Sequence, residues 1–208
     1  ALFCREVLVP RYRLFKQQQA DKSVYASAFI YGQSGMGKSR LSRDLLPQAR
    51  AYLERSGAEA GLLELLRPDR CTTLLIDLRH NGERVTEREL SVLDADVIIG
   101  LRVAAKYFGH DVEGLRQLVI REAGTRERLT LPAVLKAISD EVVAAAQPPK
   151  VLHLAVDELH FFFNETVAYK GASSERTAEP AARAIMRTLM GVCNTAVRPG
   201  LLVVGTFA

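Results

Sequence analysis

The chain has 208 residues, 48% of them hydrophobic and 25% charged, with a formal net charge of +4. That is enough chain for one sizeable core, and no apolar run approaches the roughly 18 residues that a membrane-spanning helix needs. The positive charge is scattered, without a basic run of five, which argues for solubility rather than for a nucleic-acid surface on this segment. Cys4, Cys71 and Cys193 lie far apart and have neither a disulfide-framework nor a zinc-ligand spacing, so they read as reduced thiols.

Residues 1–22 are expected to flank a core that spans 23–208. They lack the layout of a secretory signal. The missing initiator Met and a strand-like end at 201–206 give the expectation of a core cut short at its C-terminus, within a larger protein. Residues 23–31 predict a strand ending in Phe-Ile-Tyr, followed by a Gly-rich loop. A helix over 39–46 follows, with Leu41, Leu45 and Leu46 on one face, ended or kinked by Pro47. A second apolar strand runs over 72–77. Thr86 and Glu89 have capping-box spacing, opening one helix that carries Leu90, Leu93, Val97, Leu101, Ala105 and Phe108 on one face and Asp94 and Asp96 on its solvated face. Residues 112–121 predict another helix, and Thr130 with Pro132 starts one that runs to Ala146, before Pro148-Pro149. A third strand over 151–156, a helix over 178–194, a Pro199-Gly200 turn and a fourth strand over 201–206 complete the pattern. Strands alternating with helices predict an α/β fold with a mostly parallel sheet, and the continuously apolar strands predict cover on both faces in three α/β/α layers.

Residues 32–39 read Gly32-Gln33-Ser34-Gly35-Met36-Gly37-Lys38-Ser39, matching G-x-x-x-x-G-K-[ST] at every fixed position, between a predicted strand and a predicted helix. Glycine opens backbone conformations that let successive N–H groups converge on an anion, and the start of the helix at Lys38, Ser39 and Arg40 adds its positive dipole end. Lys38 is the candidate bridge to the β- and γ-phosphates of ATP, and the Ser39 hydroxyl the candidate Mg²⁺ ligand. The glycine spacing is not the G-x-G-x-x-G of dinucleotide folds or kinase lids.

The strand over 151–156 runs into Asp157 and Glu158. In a parallel sheet the C-terminal strand ends face the ligand. Asp157 is then the candidate Mg²⁺ support and Glu158 the candidate base for the attacking water. Asp77 also ends an apolar strand, but no Glu follows it, no D-x-x-G starts there and no N-K-x-D occurs. The strand over 72–77 is therefore read as a neighbour, and the protein as an ATPase rather than a GTPase. Arg176, Arg183 and Arg187 could reach a neighbour's phosphate, although solvated helix-surface arginines explain them more simply. His153 and His160 lack metal-ligand spacing, and His153 reads as a structural strand residue.

The series Tyr31 to Ser39, Leu75-Ile76-Asp77-Leu78-Arg79-His80-Asn81-Gly82, Ile99-Gly100-Leu101-Arg102, Val156-Asp157-Glu158 and Val204-Gly205-Thr206 resembles the ATPase domain of Crinkler-type effectors and of retrotransposon hot spot proteins. Those are similar to the additional-strand P-loop NTPases, including the AAA+ and STAND groups. The resemblance covers roughly residues 23–208, and its specific parts are the loop and the acidic pair. It implies an ATPase module beside a nuclease-like domain, with ATP or ADP as ligand. It leaves room for a homo-oligomer and for nucleic acid contacted through flanking domains. The implied location is intracellular, in cytoplasm or nucleus, or inside a host cell after secretion. In additional-strand ATPases a polar side chain at the end of the fourth strand senses the γ-phosphate. Thr206 stands there, and an incidental strand-end Thr fits equally well. Two other functions stay open: a nucleotide-binding switch with little turnover, and a small-molecule kinase, for which no acceptor site or Arg-rich lid is visible.

Overall fold

The computed structural model of the chain describes residues 1–18, 27–30, 36–57, 59–79, 84–159, 166–167, 179–195 and 198–207. The chain divides into two compact units, one of Ala1–Leu75, Ala137–Asp157 and Met190–Ala208, the other of Ile76–Lys136 and Glu158–Leu189.

The first unit is built on a parallel four-stranded sheet, giving the α/β class. Its strands are β1 (Ser27–Phe29), β2 (Cys71–Asp77), β3 (Lys150–Asp157) and β6 (Leu201–Phe207). They lie in the order β1-β6-β3-β2, so the last strand inserts between the first and the third. Register fixes the levels: Ala28 pairs with Thr206, Ala155 with Thr206, and Val156 with Phe207. Every residue of β6, and of β3 from Val151 to Asp157, is buried. Their unbroken apolar runs are what a sheet covered on both faces requires. Each strand runs close to its predicted span except β1, whose described part is shorter; residues 23–26 and 31 lie outside the described residues.

Beside the unpredicted α3 (Ala60–Leu65), two helices differ from expectation here. A π-helical turn, Cys4–Leu8, runs into α1 (Val9–Gln17), although the sequence predicted only a flank. Cys4, Val7, Leu8 and Tyr12 join one core with Leu46, Ala49 and Leu53, with Leu62 and Leu65 of α3 (Ala60–Leu65), and with Val151, Leu202 and Val204 of the sheet. The pairing of Leu8 with Tyr12 is the i, i+4 stripe of a helix laid on a core, masked in sequence by Arg5, Arg11 and Arg13 beside it. The second is α2 (Lys38–Ser56), which does not end at Pro47 but carries it inside. Pro47 is exposed, so the missing N–H and the crowded preceding carbonyl lie on the solvent side. Burial of Leu46, Ala49 and Leu53 on the opposite side keeps the helix running.

The second unit is mainly helical among its described residues: α4 (Glu87–Val92), α5 (Ala95–Phe108), α6 (Val112–Arg121), α7 (Ala123–Arg126) and parts of α8 (Leu131–Ala144) and α9 (Ala181–Thr195). A two-residue ladder pairs β4 (Thr166–Val167) with β5 (Glu179–Pro180). The Thr86–Glu89 capping box forms as predicted. The helix it opens is broken, however: Leu93 and Asp94 are extended, and α5 restarts at Ala95. Leaving the helix lets Leu93 bury its side chain, and Asp94 takes the N-cap position that Asp favours over a helix interior. α5 is buried from Val97 to Ala105, and at Gly100 it meets backbone: a Cβ there would lie 2.1 Å from the Leu129 carbonyl oxygen. α8 stops at Ala144, two residues before the predicted end, and Ala146 takes a positive φ of 47°. Among the described residues no helix is long and apolar enough to cross a membrane.

Within this unit Glu89, with no exposed surface, holds two arginines. Arg102 donates from both terminal nitrogens, at 2.9 and 3.1 Å, and Arg116 Nε lies 3.1 Å away. Arg116 also pairs with Glu113 and donates to the Arg84 carbonyl at 2.7 Å.

Candidate functional site

The motif residues Met36, Gly37, Lys38 and Ser39 are described; Gly32, Gln33, Ser34 and Gly35 lie outside the described residues. Gly37 is the N-cap of α2 with φ +80°, and a Cβ there would meet nothing within 4 Å. Its glycine is therefore demanded by backbone conformation rather than by space. Met36 is exposed, Lys38 and Ser39 are half-buried, and Arg40 is exposed beside Asp44 at 3.6 Å.

The start of this helix carries positive charge. It has no side-chain cap and no acid in its first turn, which holds Lys38, Ser39 and Arg40 instead. The positive end of a helix dipole favours anions, and Lys38 and Arg40, the latter beside Asp44, bring further positive charge to it. By contrast α4 starts in the ordinary way, with Glu87 and Glu89. A cationic, uncapped N-terminus is relieved by a bound anion.

Across the sheet edge the other half of the site comes from β3. Asp157 is its last residue and is buried, and the Ser39 hydroxyl donates to its Oδ2 in a short contact. Both oxygens are hard donors of the kind Mg²⁺ takes. No set of three His, Cys, Asp or Glu side chains among the described residues is close enough to hold a metal. A cation at this pair therefore needs further oxygens from phosphate or water, which is how Mg²⁺ is normally held at phosphate sites.

Glu158 follows at once, with a φ of +64°. For a residue with a Cβ this left-handed conformation costs about 1 kcal/mol or more, and such strain collects at functional positions. Thr206, 1% exposed, faces the same side of the sheet as Asp157, and its Oγ1 lies 2.9 Å from His153 Nε2. The other ring nitrogen of His153, Nδ1, lies 3.4 Å from Thr73 Oγ1. Burial alone pulls the His153 pKa down to about 4, so the ring is neutral.

The structure thus brings together Ser39 and Asp157, with Lys38 one residue from the contact and Thr206 on the intervening strand. Asp77, the rival acid, accepts the Arg79 amide at 2.9 Å, as an Asx turn does. Arg183 and Arg187 are exposed on α9, and Arg176 and His160 lie outside the described residues. His153 reads from the sequence only as a structural strand residue; a single His among apolar strand residues carries no pattern that ties it to a Thr 53 positions away. Comparison of the chain with protein-family models, with curated proteins and with solved structures finds no match.

Proposed function

We propose that the chain is a P-loop ATPase module of the additional-strand class, binding ATP with Mg²⁺ and hydrolysing it to drive or regulate a neighbouring domain. The observation that carries this reading is the Ser39–Asp157 contact: the hydroxyl of the G-K-S motif meets the acid ending an apolar strand, across a separation of 118 residues. The insertion of β6 between β1 and β3, and the cationic N-terminus of α2, support it further. In this reading the amides around Gly37 and the Lys38 ammonium hold the β- and γ-phosphates. Ser39 and Asp157 would hold Mg²⁺, which would neutralise phosphate charge. Water attacks the γ-phosphorus as Glu158 accepts its proton, the bond to the bridging oxygen breaks, and ADP and phosphate leave.

The test is a pair of variants. Lys38→Ala is expected to weaken ATP binding at least tenfold, and Glu158→Gln to keep binding while losing turnover by about 10²-fold or more. Tight nucleotide binding by the Lys38→Ala protein sinks the phosphate site. Normal hydrolysis by the Glu158→Gln protein sinks the assignment of the base. Binding without phosphate release in the parent favours a nucleotide switch.

A further inference from the structure

His153 lies four residues before Asp157, on the same face of β3, and is fully buried. Its two ring nitrogens face hydroxyls on the two neighbouring strands, Thr206 of β6 and Thr73 of β2. The result is a polar line through three strands, set in an otherwise apolar layer of Val151, Leu202 and Val204. A neutral imidazole has one N–H and one bare nitrogen, so the line has a direction. Either the ring donates to Thr206 and accepts from Thr73, or the reverse.

At 2.9 Å the Nε2···Oγ1 contact is the stronger of the two, and 3.4 Å at Nδ1 is long for donor and acceptor alike. With the N–H on Nε2, Thr206 accepts from it. A hydroxyl that accepts from the ring keeps its own hydrogen to give elsewhere. Thr206 stands level with Ala155, one side-chain repeat (about 7 Å) short of Asp157 along the sheet face.

We propose that His153 is a positioning residue of the nucleotide site. It fixes the Thr206 hydroxyl so that its hydrogen is donated toward the terminal phosphate of a bound nucleoside triphosphate. This rests on the ATPase reading above. It replaces the choice between a sensing and an incidental Thr206 with a definite hydrogen-bond direction, and it extends the site to Thr73 on β2. With the opposite tautomer, the Thr206 hydrogen would be spent on the ring and the hydroxyl could not donate to an anion.

The direct test needs no variant. In histidine-¹⁵N-labelled parent protein, NMR is expected to show His153 protonated on Nε2. Its ring signals are expected to move when a non-hydrolysable ATP analogue with Mg²⁺ is added, and not with ADP and Mg²⁺. Calorimetry on the same samples separates the two ideas. If the analogue does not bind, the nucleotide reading falls and this inference with it. If it binds while the His153 signals stay fixed, or if the proton sits on Nδ1, this inference alone is overturned.

Two substitutions supply the kinetic readout. His153→Gln puts an amide donor near the Nε2 position, and His153→Asn puts one near Nδ1. The Asn protein is expected to lose about tenfold in kcat, the worth of one hydrogen bond made in the transition state, with nucleotide Kd within about twofold of the parent. The Gln protein recovers most of that loss. Equal kcat in the two variants, or a loss that follows Tm and Kd together, assigns His153 a purely structural role and refutes the proposal.

Discussion

Replacing Glu89 by Ala tests the physical account of the helical unit most sharply. The carboxylate is wholly buried and takes hydrogen bonds from Arg102 at 2.9 and 3.1 Å and from the Thr86 amide at 2.8 Å, with Arg116 Nε at 3.1 Å. Removing it leaves two buried guanidinium groups, with Glu113 as the remaining acid on Arg116. Breaking one buried pair costs about 3–5 kcal/mol, and loss of the reciprocal half of the capping box adds up to about 1 kcal/mol. A loss near 5 kcal/mol equals the whole stability of a marginal domain. Urea unfolding followed by circular dichroism measures the total, and amide exchange along α5 locates it. Glu113→Gln is the control, because it touches the same Arg116 but its side chain is 52% exposed, and it is expected to cost under about 1 kcal/mol. A Glu89→Ala loss of 1 kcal/mol or less, or equal losses in the two variants, refutes the claim that the cluster holds this unit together.

Three other perturbations probe the fold. The folded pKa of His153 is about 4, below the 6.5 of the free side chain, so between those values the unfolded chain binds a proton that the folded chain does not. Stability from this group is complete above pH 6.5 and is lost as pH falls to 4, by roughly 3 kcal/mol; urea midpoints at several pH values should show this slope, and the His153→Gln protein should lack it. Pro47→Ala restores an N–H inside α2 at an exposed site and is expected to raise stability by about 1–3 kcal/mol in urea; a lower midpoint would show that Pro47 fits its place. Gly100→Ala forces a Cβ to 2.1 Å from Leu129 O and 2.6 Å from Leu131 N, and a loss of about 2–3 kcal/mol should lower Tm by about 4–12 °C; an unchanged Tm would mean that α5 can move away freely.

Much of the fold was legible because its signals are local. Apolar runs marked β2, β3 and β6, the Thr86–Glu89 spacing marked a helix start, and the G-K-S motif with a later Asp-Glu strand end marked the candidate site. The misses share a physical cause: tertiary burial outweighed a local rule. Pro47 is a helix breaker by propensity, yet Leu46, Ala49 and Leu53 bury enough surface to carry α2 past it. Leu93 continues a helical stripe in the sequence, yet its backbone is extended and its side chain buried. Cys4, Val7 and Leu8 sit among charges that conceal their face until the core is formed. The Glu89–Arg102 pair spans 13 residues, and nothing in its spacing separates it from two solvated charges.

The strand order sets where Ser39, Asp157 and Thr206 stand. Were β1 and β3 neighbours, the acid would stand one strand spacing, about 4.8 Å, from the strand that leads to the loop. With β6 between them that separation doubles to about 10 Å, and Ser39, carried on α2, spans it to reach Asp157. Thr206 stands on β6 between the two, paired with Ala28 of β1 and Ala155 of β3. In the proposed reading a phosphate held at the N-terminus of α2 would meet the acid on one side and the Thr206 hydroxyl on the strand between, and that hydroxyl would serve the anion only while its hydrogen is not given to His153.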